Sequence, residues 1–435
     1  MMNLAAPIIL ASLSQTLMSL IDIAMVGRLG AAAVAAVGLA SMFTFAISDS
    51  LNAIQAGVQT VVARREGEGR PREAGEALRS THYFALVVGS IAGLLFVVGS
   101  RGLIPLINPD ADVVAMGLSY ILYRGPSLGL VMMGFAFYGF YNGISRPRIH
   151  LLVSVVANTL NVVLNYGLIF GHFGMPAMGV GGAGLATTIS SAVAVALYAL
   201  ATRQNALRRR YPGIWRGPRQ PDTLGKILRL SLPAGIQHFG VMAGFAAFMT
   251  FMGWVSTVAL AATEIVINIL SFSFMPATGF LFATQTLVSK SIGEGNFKRA
   301  EDSVQIATLL CLILMGSMGL VFISAPRFIL GLFTPVEAIV AMGVLPLQIL
   351  GLVQFADAVG MVNFGALRGA GDNVYPAVAE IMLMWLFLLP VTWFTAIHQG
   401  WGINAGWTAL AAYIVIYAAT FYLRFRHGPW RRIVI

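Results

Sequence analysis

The sequence predicts an all-α membrane protein, with twelve transmembrane helices in two pseudo-symmetric six-helix lobes. Three observations lead there. Of 435 residues, 58% are hydrophobic and only 10% charged, where a soluble chain carries roughly 25% charged residues. Apolar runs of about 20 residues, the length that crosses a bilayer, recur along the chain. The third is internal repetition at a constant offset. Leu4 and Pro7 register with Leu230 and Pro233, Gln59-Thr60 with Gln285-Thr286, and Gly67-Glu68-Gly69 with Gly293-Glu294-Gly295. Gly139 and Gly143 fall on Gly365 and Gly369 at the same spacing. Two matched hydrophobic halves are the pattern of a transporter whose halves move against each other.

The elements follow in order from apolar runs and the breakers between them. Helix 1 is expected at about 4–26, closed by Gly27 and Gly30. It has no basic segment and cleavage site of a leader, so it reads as a retained span. Helix 2 covers about 37–62 and stops before the stretch Gly67 to Pro71. Helix 3 runs over about 82–104, up to Asn108-Pro109, and helix 4 over about 113–141. Helix 5, at about 149–171, starts after Pro147, and helix 6 covers about 178–202. The second half repeats the plan at about 227–253, 258–289, 303–325, 339–366, 374–398 and 403–424.

These boundaries give an N-terminal lobe at 1–202, a basic connector at 203–226, a C-terminal lobe at 227–424 and a tail at 425–435. Six helices per half is an even number. The repeats are therefore parallel, and a cavity between them is expected. Lys and Arg collect on one side: Arg64, Arg65, Arg70, Arg72, Arg79, Arg146, Arg148, the connector, Lys290, Lys298, Arg299, Arg368 and the tail. The other side holds Arg28, Arg101 and Arg327. That asymmetry places both termini in the cytoplasm. The formal charge of +10 is thus spent on topology in a plasma (inner) membrane, with lipid and not nucleic acid as the surroundings. The connector, rich in Arg and Pro, is expected to be loosely ordered. The one cysteine, Cys311, excludes an intrachain disulfide. No Walker loop and no metal-spaced His/Cys/Asp cluster is present, so the chain reads as neither an ATPase nor another enzyme.

Ionisable groups in hydrocarbon are costly, and those that persist usually face a bundle interior or a cavity. Asp22 lies in helix 1, seven residues after Gln15. A carboxylate there can take up H⁺ or hold Na⁺ transiently. Asn158, Asn161 and Asn165 share one stripe of helix 5 by their spacing of three and four. Their amides suit either a hard cation or the orientation of a carboxylate, and equally suit hydrogen bonding between helices. Thr187 opens helix 6. In the second half Asp357 lies within helix 10, Glu264 and Asn268 within helix 8, and Gln237 within helix 7. Asp49 and Arg124 are placed to neutralise each other. Glu380 is expected near the cytoplasmic end of helix 11, facing water.

Several short motifs, in order, resemble the multidrug and toxic compound extrusion (MATE) family over essentially the whole chain. They are Pro7, Gln15 and Asp22-Ile23-Ala24-Met25-Val26-Gly27, then Gln59-Thr60-Val61-Val62-Ala63-Arg64, then Asn161-Val162-Val163-Leu164-Asn165-Tyr166. Gly182-Ala183-Gly184-Leu185-Ala186-Thr187 and Ala366-Leu367-Arg368-Gly369-Ala370-Gly371-Asp372 complete the set. The resemblance implies a monomeric exporter of small organic cations and drugs, driven by inward H⁺ or Na⁺ and needing no cofactor. It implies Asp22 as the coupling residue, with Asn161, Asn165 and Thr187 around it. It also implies that Asp357 serves substrate or a second ion, a role for which Glu264, Asn268 and Gln237 are further candidates. One departure stands out. Where several relatives carry a Glu in helix 7, eight residues after its proline, this chain has Val241. A lipid-linked glycan flippase and a channel are the alternatives.

Overall fold

The computed structural model describes residues 1–216, 221–433 and 435. The first half contains α1 (Met2–Gly27), α2 (Ala31–Gly67), α3 (Pro71–Ile107), α4 (Ala111–Arg124), α5 (Leu128–Gly143), α6 (Pro147–Phe170), α7 (Val180–Thr202) and a short α8 (Asn205–Arg210). The second contains α9 (Pro221–Val255), α10 (Thr257–Gly293), α11 (Phe297–Ser324), a short α12 (Pro326–Gly331), α13 (Glu337–Ala370), α14 (Val374–Met382), α15 (Leu389–Thr392) and α16 (Gly402–His427). Two π-helical stretches, Leu383–Leu388 and Trp393–His398, join and extend α14 and α15 into one span. Among the described residues, 11 helical stretches are long and apolar enough to cross a membrane. The α4–α5 pair supplies the twelfth.

Boundaries follow local chemistry. Pro71 and Pro147 open α3 and α6 at the first-turn position, where the missing N–H costs nothing. The Asp110 side chain caps α4 by accepting from the backbone N–H of Asp112 at 2.9 Å. Ser256 and Asn296 do the same for α10 and α11, through Ala259 N at 3.0 Å and Arg299 N at 2.9 Å. The expected single helix 4 is instead interrupted by a 3₁₀ turn at Gly125–Ser127. Pro126 removes a ladder donor and crowds the preceding turn, and Ser127 Oγ donates to the Arg124 carbonyl at 2.6 Å. Helices α2, α3 and α10, at 37 residues each, exceed the ~20 that span hydrocarbon. Their ends extend past it, which is why the expected edges were short.

The chain divides into two compact units, Ala6–Gly235 and Met1–Ala5 with Ile236–Ile435, the division falling inside α9. Each unit is built on the same glycine contacts. In the first, a Cβ on Gly139 of α5 would lie 2.6 Å from the Gln55 carbonyl of α2. In the second, a Cβ on Gly365 of α13 would be driven into the Leu281 carbonyl of α10. Gly143 meets Gln59 as Gly369 meets Gln285, and Gly93 meets Gly125 as Gly319 meets Gly351. All six residue pairs keep the sequence offset. Small residues bring helix backbones together where lipid supplies no hydrophobic drive for association.

The connector is more ordered than expected over 203–216. Leu207, Tyr211, Gly213 and Ile214 are buried. Tyr211 Oη donates to Glu66 Oε2 at 2.9 Å, and Arg210 pairs with the other oxygen of the same carboxylate. Burial and the neighbouring Glu66 charge push the Tyr211 phenol above its ordinary range, so it remains a donor. The hydrogen bond to Glu66 likewise raises the Arg210 guanidinium. A tyrosine and an isoleucine too apolar to stay in water pin a segment whose composition alone suggested a free link. Residues 217–220 of the expected connector lie outside the described residues.

Candidate ion and substrate sites

In the first unit the polar residues of α1, α6 and α7 converge. Asn165 Nδ2 donates to Asp22 Oδ1 at 2.6 Å and to Asn161 Oδ1 at 2.9 Å. Asn161 Nδ2 in turn donates to Thr187 Oγ1 at 3.3 Å, and the Thr187 hydroxyl donates to the Ala183 carbonyl at 3.0 Å. Turned end for end, the Asn161 amide donates to Asp22 Oδ1 at 3.1 Å and accepts from Thr187. Asn161 can therefore face Asp22 with its carbonyl, which suits a protonated acid, or with its amide, which suits a carboxylate. Asn161 and Asn165 are fully buried, Asp22 is half-buried, and Asn165 Oδ1 has no hydrogen-bond partner. All four residues expected at this site are thus in one network. One turn along, Asn158 Nδ2 donates to Ser14 Oγ at 2.9 Å, tying α6 to α1 a second time.

Arg124, expected to pair with Asp49, donates instead to Ser127 Oγ, and its charge attracts Asp22. The 3₁₀ turn after α4 is what positions this guanidinium. The site therefore holds one carboxylate, three amide or hydroxyl groups and one nearby cation.

The second unit holds a different cluster. Gln237 of α9 donates to Glu380 of α14 and accepts from Arg368 Nη2 of α13 at 3.1 Å. Tyr413 of α16 lies close to the same carboxylate. Asp357 is buried on α13, within electrostatic range of Glu380. The guanidinium of Arg368 stacks 4.2 Å from the centre of the Phe364 ring. Two expected residues, Asp357 and Gln237, therefore belong to one neighbourhood. Glu264 and Asn268 do not join it. Both are exposed on α10, and the Asn268 amide closes on the Glu264 backbone carbonyl at 2.9 Å.

Two members of this cluster were misjudged from sequence. Glu380 is only partly exposed and accepts from Gln237. Arg368, counted as a topology charge, is buried. A signal was available. Asp22 and Asn165 are separated by 143 residues, and so are Gln237 and Glu380. Helices running side by side in the same direction keep a constant separation, and α1/α6 and α9/α14 are the same pair in the two repeats.

The MatE family model matches this chain twice, over residues 7–167 and 233–394, in step with the internal repeat. A probable multidrug resistance protein NorM of Thermotoga maritima is 27% identical, over 99% of this chain and 93% of that protein. A probable multidrug resistance protein NorM of Bradyrhizobium diazoefficiens is 30% identical, over 98% and 92%. A solved outward-facing multidrug resistance MATE family transporter of the MOP superfamily shares the fold, with a TM-score of 0.88 at 19% identity over 98% of this chain and 94% of that one. With both halves matched, and relatives that are transporters and not enzymes, the chain belongs to the MatE family of multi-pass membrane transporters.

Proposed function

We propose that this protein is a secondary antiporter that exports cationic or amphiphilic organic compounds in exchange for H⁺ or Na⁺. The observation that carries the proposal is Asp22, a carboxylate within a membrane span, held by Asn165 at 2.6 Å in a network shared by α1, α6 and α7. An entering cation neutralises Asp22 and reorders its hydrogen bonds to α6. This favours one arrangement of α1, and substrate favours the other. A ligand shifts such an equilibrium only by its differential affinity for the two states.

Two features favour H⁺ over Na⁺. Asp22 faces an amide N–H from Asn165, where Na⁺ would need an oxygen. Arg124 already attracts the carboxylate and opposes a second fixed cation beside it. Asp357 and Glu380 put two acidic side chains near Arg368, a neighbourhood that can attract a further positive charge. It is the candidate second site for substrate or ion. The NorM names of the relatives favour drug efflux over glycan flipping. The distribution of Lys and Arg supports a plasma (inner) membrane location with both termini in the cytoplasm. Proteoliposomes loaded with a fluorescent organic cation, under separately imposed pH and sodium gradients, test the proposal. Efflux under neither gradient, or current without exchange, rejects it.

A further inference from the structure

Residues 203–216 line an open cavity of about 620 Å³, bordered by Arg203, Asn205, Arg208, Arg209, Trp215 and Arg216. Its walls are built by the local helix. Asn205, Arg208 and Arg209 fall on one face of α8 by their spacing of three and four. The opposite face is fixed by buried Leu207 and by Tyr211 and Arg210, both bound to Glu66. Anchoring one arginine of the Arg208-Arg209-Arg210 run to an internal acid turns the other two into the cavity. Arg203 lies 5.2 Å from the centre of the Trp215 ring and so closes another wall. Among the described residues, Arg203, Arg208, Arg209 and Arg216 have no carboxylate partner.

Membrane topology requires positive charge in this connector but not a concave arrangement of it. Four unpaired guanidiniums around one space repel each other unless an anion sits among them. Planar forks of N–H donors match phosphate oxygens. The cavity lies between the end of α7 at Thr202 and the start of α9 at Pro221, where two spans leave the membrane. Trp215, 44% exposed, is the amphipathic ring that settles at headgroup depth. We propose that this cavity is a binding site for a phosphate ester, specifically the headgroup of an anionic phospholipid from the adjoining leaflet. The bound headgroup joins Arg208 and Arg209 of α8 to Arg203 and Arg216 and so braces the connector against α2 and α3. The site does not depend on which ion drives transport.

The test uses the full-length protein in detergent micelles doped with phosphatidylglycerol or phosphatidylcholine, read by native mass spectrometry and by thermal unfolding. Wild type is expected to retain phosphatidylglycerol over phosphatidylcholine and to melt higher with it. The double variant Arg208→Gln/Arg209→Gln should bind phosphatidylglycerol about thirtyfold more weakly. A control, Lys226→Gln/Arg229→Gln, removes the same charge from exposed positions outside the cavity and should bind as wild type does. Equal losses in both variants would reduce the effect to diffuse electrostatics and overturn the site. So would unchanged binding in the first variant. A melting shift produced by inorganic phosphate and not by phosphatidylglycerol would overturn the lipid assignment. If the double variant does not accumulate, equal retention of the two lipids by wild type overturns the proposal just as firmly.

Discussion

Replacing Asp22 by Asn tests the proposed coupling role while keeping the side chain's size and its hydrogen-bond acceptor. The Asn carbonyl can still accept the Asn165 amide that now sits 2.6 Å from Oδ1. What is lost is the charge assistance and the attraction to Arg124, a stability cost of about 1 kcal/mol. Transport should respond far more strongly. This site has one carboxylate, so the proposed exchange takes in one monovalent cation per cycle. Exchange for a monovalent organic cation is then electroneutral, and one pH unit supplies about 1.36 kcal/mol. That sustains an approximately tenfold substrate gradient. Proteoliposomes clamped one pH unit apart should reach this ratio with wild type and a ratio near one with Asp22→Asn, at equal protein insertion. A variant that still reaches about tenfold refutes the role of Asp22. A wild-type ratio near a hundredfold means two ions per cycle and brings Asp357 and Glu380 into the coupling.

Ser145 holds a left-handed φ of 60° where its repeat partner Gly371 has 92°; Ser145→Gly should stabilise the protein by about 1 kcal/mol in thermal unfolding. Gly365→Ala should cost about 1–3 kcal/mol by forcing α13 off the Leu281 carbonyl, whereas Gly38→Ala, with open space around it, should be neutral or mildly stabilising in the same assay. Glu380→Leu removes the acceptor of the Gln237 amide and should lower stability by about 1–3 kcal/mol; an unshifted melting curve would mean that this hydrogen bond contributes no net stability. Tyr211→Phe removes a hydrogen bond to a carboxylate worth about 1.5–3 kcal/mol and should speed tryptic cleavage after Arg208 and Arg209, measured on intact protein by mass spectrometry.

Much of the fold was legible because membranes simplify the problem. Apolar run length sets the spans, and glycines at a constant offset set which helices touch. The Asp22 network was legible through the family resemblance, which set Asn161, Asn165 and Thr187 around Asp22, whereas the shared stripe of Asn161 and Asn165 fitted helix-to-helix hydrogen bonding equally well. Three features were not. Helix 4 read as continuous because its apolar run is continuous, although Pro126 marked the break. Glu380 was misplaced because only the fold shows that Gln237, from another helix, reaches its carboxylate. Residues 203–216 read as loose because composition cannot show that Glu66, over 140 residues earlier, waits to receive Arg210 and Tyr211.

Duplication also leaves the molecule with an internal standard. The turn at Ser145 and the turn at Gly371 are the same ancestral corner, one carrying a hydroxymethyl group and the other bare. The crossings at Gly139 and Gly365 are likewise one joint made twice. Exchanging residues between such twins compares two settings of a single motif inside one polypeptide, at identical expression, detergent and temperature. Any inequality between the paired results measures how far the two copies have drifted apart since they were alike.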